Sequence, residues 1–189
     1  MFDRIKKLRE ESRAFESSPE KTETDEDGRA LVRLRVRDDD GFLSPFYAEG
    51  RPVISGETAA FLEQSVKHVR PENEVRFVIS GNCVEETERP LYQKAIENYY
   101  RQEFSETRDQ IRRNTAAGTV MTVIAVLVFL LAITLTALSA ATLILDVLDV
   151  VAWVFLWEAV DLFFLQRPIL RIKQLRNLQI ATAKVDFAA

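Results

Sequence analysis

One cysteine, Cys83, and one histidine, His68, stand among 189 residues. A single cysteine excludes a disulfide within the chain and a thiolate metal cluster. A single histidine with no evident partner leaves no base and nucleophile pair. The Ile-Ser-Gly stretches at 54–56 and 79–81 are turn signals and lack the pattern of a phosphate loop. Thr-Asp-Glu-Asp-Gly at 24–28 lacks the ligand spacing and distal glutamate of a calcium loop. No enzymatic activity, cofactor or metal is expected from this inventory. The opening stretch MFDRIKKLREESRAFESSPE has no apolar core and no small-residue cleavage site, so no signal peptide is expected, and Phe2 stands where myristoylation requires glycine.

Charge is the other scarcity. No charged residue occurs between Asn114 and Leu145, and no Lys or Arg between Arg113 and Arg167. The formal net charge of −4 resides before residue 115, the remainder being neutral; this mildly acidic balance argues against a nucleic-acid partner. One bilayer crossing takes about 20 apolar residues. The charge-free run is too long for one upright crossing and too short for two. With the segment that follows it, two fit, 116–138 and 143–165, joined by Ser139, Ala140, Ala141 and Thr142. The expectation is a tight transmembrane hairpin. Arg101, Arg108, Arg112 and Arg113 precede it, Arg167, Arg171, Lys173 and Arg176 follow it, and the turn has no base, so both termini are expected on the cytoplasmic side.

The second span, LILDVLDVVAWVFLWEAVDLFF at 143–164, carries acids but no bases. At 100° per residue, Asp146, Asp149, Trp153, Trp157 and Asp161 share an arc of about 120°, with Glu158 about 60° outside it. Asp149 and Glu158 lie about 6–8 Å from the centre of that helix, inside a hydrocarbon half-thickness of about 15 Å. A carboxylate facing lipid there costs about 2.5–3.5 kcal/mol on insertion scales. The acids are therefore expected to meet protein or water: hydroxyls of Thr122, Thr134 or Thr136 on the first span, headgroups at the ends, or other copies of the chain. Two uses follow, an assembly interface in which Trp153 and Trp157 pack, or a cation path ringed by carboxylates.

What precedes the membrane reads as a small α+β domain. RALVRLRVR at 29–37 alternates, placing Ala30, Val32, Leu34 and Val36 on one face and Arg29, Arg33, Arg35 and Arg37 on the other. Parallel guanidiniums suit oxyanions, so these arginines are a candidate anion site; a solvated sheet face neutralised by Asp38–Asp40 or by Glu85, Glu86 and Glu88 is the competing reading. SGETAAFLEQSVKHV at 55–69 is a helix capped by Ser55 or Thr58 and ended before Pro71. VRFVIS at 75–80 is a second strand, with CVEETE as its expected hairpin partner. From Pro90, Leu91, Ala95, Ile96, Tyr99, Tyr100, Phe104 and Ile111 recur at helical spacing into the first span. In 1–28, Phe2, Ile5, Leu8 and Phe15 suggest a short amphipathic helix, followed by an acidic linker.

AWVFLWEAVDLFFLQRP at 152–168 resembles the end of the hairpin in uncharacterised bacterial inner-membrane proteins that carry a small cytosolic domain before two spans. The resemblance implies that topology and that membrane, and no chemistry. The expected organisation is an α+β cytosolic domain followed by a long helix and a transmembrane α-helical hairpin: amphipathic helix and linker 1–28, α+β domain 29–89, connecting helix 90–115, hairpin 116–165, basic C-terminal helix 166–189. The expected function is an oligomeric assembly or sensor module in the cell membrane, self-associating through the second span, with a cytosolic domain that binds a protein or small anionic partner. The alternative is a small oligomeric cation-conducting pore lined by the acids.

Overall fold

The computed structural model describes residues 4, 23–36, 41–81, 84–138 and 142–188. The elements in order are β1 (Ala30–Arg35), α1 (Gly56–Ser65), β2 (Val75–Ser80), α2 (Arg89–Ala137), α3 (Thr142–Val160), a π-helical turn (Asp161–Gln166), α4 (Arg167–Ala181) and β3 (Lys184–Ala188). They form two compact units, Met1–Lys94 with Thr182–Ala189, and Ala95–Ala181. The amphipathic segment expected near the start lies outside the described residues, apart from Arg4.

The first unit is a three-stranded sheet in the order β1-β2-β3, and both pairings are parallel. Parallel neighbours need a crossover. α1 supplies the first, and the whole helical unit lies in the second, between β2 and β3. Two expectations are corrected here. The segment 84–88 forms a turn and not a strand, and β2 takes β1 and β3 as its parallel neighbours. The C-terminal segment 166–189 is helical only to Ala181, because KVDFA pairs with β2 in the register Phe77↔Val185.

The core follows from period-two burial. Val75, Phe77 and Ile79 are buried along β2, with Ala30 and Leu34 of β1 and Val185 of β3. Over them lie Ala59, Leu62 and Val66 from α1 and its C-cap. Ser55 caps α1 as anticipated, its hydroxyl accepting from the Thr58 amide at 3.2 Å; such a cap is worth about 1 kcal/mol. Phe42 stacks on Tyr92 with ring centroids 4.5 Å apart, and the Arg89 guanidinium lies 5.7 Å from the Phe187 ring centroid.

The second unit is an antiparallel helical hairpin. The late part of α4 meets the early part of α2, where Asn177 Nδ2 donates to Thr107 Oγ1 (3.3 Å) and Lys173 pairs with Glu103 (3.4 Å), whereas Gln166, earlier in the chain, accepts from Asn114 Nδ2 (2.9 Å) further along α2. α2 runs 49 residues without a break, so the connecting helix and the first apolar segment are one element. α3 passes through the π-helical turn into α4. Pro168 has no N–H to give Phe164, and its ring crowds that carbonyl; widening the helix just before it relieves both.

Small residues are buried along both helices. Gly118 and Ala125 on α2 and Ala152 and Ala159 on α3 are buried. A β-carbon added to Gly118 would lie 2.9 Å from Cε2 of Phe163. Gly118→Leu is therefore expected to force the ring aside and lower the stability of the helical unit by about 1–3 kcal/mol, read from its thermal melt in detergent. Gly118→Ala should cost less, because the tip of the ring can yield.

Candidate functional site on the acidic helix

α3 turns one face to the seam and the other outward. Leu145, Leu148, Ala152 and Ala159 recur at spacings of three, four and seven and are buried or half-buried. On the opposite side Asp146, Asp149 and Glu158 are exposed, with Trp153 60% and Trp157 69% exposed. Val150, Trp153, Val154, Trp157 and Glu158 line one shallow groove. Glu158 thus belongs with the indoles, although ideal helical angles put it beside the stripe.

Threonine partners for the acids are not found, and this expectation is corrected. The hydroxyls of Thr122 and Thr136 donate to the carbonyls of Gly118 and Ala132, both at 2.8 Å, and that of Thr134 to Leu131 at 2.7 Å. A hydroxyl has one proton, and on a helix the preceding turn competes for it. Asp146, Asp149 and Glu158 have no hydrogen-bond or ion-pair partner among the described residues.

Asp161 differs from the other three. It is half-buried in the π-helical turn, where its Oδ2 accepts from Gln166 Nε2 at 2.6 Å, and Gln166 in turn accepts from Asn114. This chain joins α2 to the π-helical turn at the level of Arg113 and Arg167, where the base-free run begins on α2 and ends at the start of α4. Asn114 and Gln166 were not singled out from sequence; their place at the two edges of that run was the available signal. Measured from Gln166 at about 1.5 Å per residue, Glu158 lies about 12 Å along the axis, Trp157 about 14 Å, Trp153 about 20 Å, Asp149 about 26 Å and Asp146 about 30 Å.

The arginine row does not converge on one point. Arg29 donates to Glu74 at 2.7 Å and lies 3.6 Å from Asp27, and Arg33 pairs with Glu23 at 3.1 Å. The neutralising acids come from the segment before β1 and the turn before β2, and those pairs involve neither 38–40 nor 85–88. Arg37 lies outside the described residues. Arg35 is exposed and borders a cleft with Phe42, Glu57, Thr58 and Phe61, at the C-terminal ends of β1 and β2.

Arg76, not singled out from sequence, holds the first unit together. From β2 it binds Asp25 ahead of β1 and, at 2.5 Å, Asp186 on β3. The guanidinium raises no new question of charge for itself: its pKa moves further up, chiefly through Asp25. The hydrogen bond from Arg76 holds the Asp25 carboxyl below its ordinary value. A carboxyl depressed in the folded state stabilises above its unfolded pKa, and that contribution fades as pH falls through the folded one. Asp25→Asn is thus expected to lower the melting temperature of the first unit at pH 7, with the difference from wild type shrinking as the pH falls through the range in which the folded-state carboxyl is protonated.

Among the described residues no group of three or more His, Cys, Asp or Glu side chains could hold a metal ion. No family model, curated protein or solved structure matches the chain.

Proposed function

We propose that this chain is a two-pass protein of the bacterial inner membrane that self-associates through the outward face of α3, with a cytosolic sheet unit that binds a protein or small anionic partner. The carrying observation is Glu158, exposed, lining one groove with two indoles and without a polar partner among the described residues. If the Asn114–Gln166 bond marks the inner boundary of about 30 Å of hydrocarbon, Glu158 sits about 3 Å from the midplane. Asp149 and Asp146 then approach the outer headgroups and Asp161 the inner ones. One deep carboxylate, sharing a groove with two indoles whose N–H groups also need acceptors, favours cover by another copy over contact with lipid.

The crossings themselves have separate support. α2 is long and apolar enough to cross a membrane, and only 6% of its apolar window is buried, which is the reverse of a soluble core helix. A return crossing by α3 is favoured by β3: a strand that pairs beside β2 must end on the side from which α2 left. The cytoplasmic side is favoured by the bases at that end.

Support for an anionic partner comes from Arg35 at the mouth of the sheet cleft. Open parallel sheets bind ligands outside the carboxyl ends of their strands. The second function, a cation-conducting pore, is favoured by the absence of any base from Asn114 to Gln166. Light scattering of the detergent-solubilised protein tests the assembly: a particle containing several 21.6 kDa chains is expected, and a single chain would refute it. Cation flux from liposomes that disappears in Asp149→Asn with Glu158→Gln, at unchanged particle mass, would select the pore.

A further inference from the structure

The geometry points to a binding site for hydrophobic organic cations in the α3 groove lined by Val150, Trp153, Val154, Trp157 and Glu158. The inference rests on the two-pass membrane reading above and not on the assembly, with whose second copy the ion would compete for this face. Glu158 supplies one negative charge with no basic partner among the described residues, and no Lys or Arg lies between Arg113 and Arg167 to favour an anion. A small inorganic cation demands about six or more oxygen ligands in place of its water; a groove with one carboxylate and otherwise apolar walls cannot replace that shell. A cation whose charge is spread beneath hydrocarbon or aryl groups gives up little hydration on entry. Such an ion is attracted by the two indoles that line the groove, together with the carboxylate as counter-charge. The valines add apolar contact. Lipophilic ions also partition into the bilayer, which brings them to a site that opens sideways from the helix.

Both tryptophans of the chain lie in this groove, so tryptophan emission, excited selectively over tyrosine, reports on it alone. The full-length protein in detergent is titrated with tetraphenylphosphonium and, separately, with tetraphenylborate, which has the same shape and the opposite charge. Saturable quenching by the cation alone is expected. Glu158→Gln should weaken it at least about tenfold, equivalent to 1.4 kcal/mol, and Glu158→Asp should restore part of the loss, with helical content by circular dichroism unchanged in both variants. Equal responses to the two ions, an unsaturated linear response, or an unchanged curve in Glu158→Gln would overturn the site. Particle mass is recorded on the same samples. A multi-chain particle that fails to saturate contradicts the cation site alone, whereas a single-chain particle that saturates contradicts the assembly and leaves the site standing.

Discussion

Trp153→Ala combined with Trp157→Ala is expected to reduce the detergent-solubilised assembly to single chains. The two indoles stand one helical turn apart on the outward face, 60% and 69% exposed in the lone protomer. Each offers a large apolar surface and one N–H donor, the combination that dominates interface energetics. Truncating an interfacial tryptophan commonly costs about 2 kcal/mol or more. The pair then lowers the association constant by about a thousandfold if the losses add to about 4 kcal/mol. Leu127→Ala is the matched control, since Leu127 is 59% exposed on α2 and outside the acidic face; its particle mass should not change. An unchanged mass in the double variant would remove α3 from the interface.

Phe77→Ala carries the largest expected loss of stability. Phe77 is fully buried at the middle of the central strand, in register with Val32 of β1 and Val185 of β3. Emptying that position costs about 3–5 kcal/mol, against a total of about 5–15 kcal/mol for an ordinary domain. The sheet unit should melt more than about 10 °C lower. Residues 95–181 form their own compact unit, so the helical signal in far-ultraviolet circular dichroism should outlast the first transition. Loss of both signals in one step would show that the two units fold as one.

Local elements were legible where the repeat was strong and its partners near. VRFVIS reads as a strand by composition alone, and β2 occupies those residues. Ser55 announces α1 by its capping chemistry, and the long helical period from Pro90 onward becomes α2. β3 escaped because KVDFA is short and follows a basic helical stripe, and its neighbour β2 is more than a hundred residues away in sequence. With β3 unseen, nothing in the chain required a parallel sheet, and the acidic turn after β2 looked like a hairpin return. Arg76 escaped for a related reason: its partners Asp25 and Asp186 come from opposite ends of the chain, which no local pattern links.

At the candidate site the sequence disclosed which residues were unusual but not which way they point. The acids of α3 stand out because the surrounding run has so little charge. Their direction follows from Ala152 and Ala159, which are buried on the other face of α3. The helical wheel separated Glu158 from the indoles, whereas the folded groove unites them. Asp161 looked like its neighbours in sequence and is held instead by Gln166 and the π-helical turn.

The account stands on α3 passing through the bilayer with Glu158 deep within it. A single cysteine at Thr142, placed in a Cys83→Ser background and probed with a membrane-impermeant maleimide in oriented vesicles, tests this most directly. Labelling confined to the face opposite a second reporter cysteine at Glu57 is the predicted result. Labelling of both positions from the same face would contradict it.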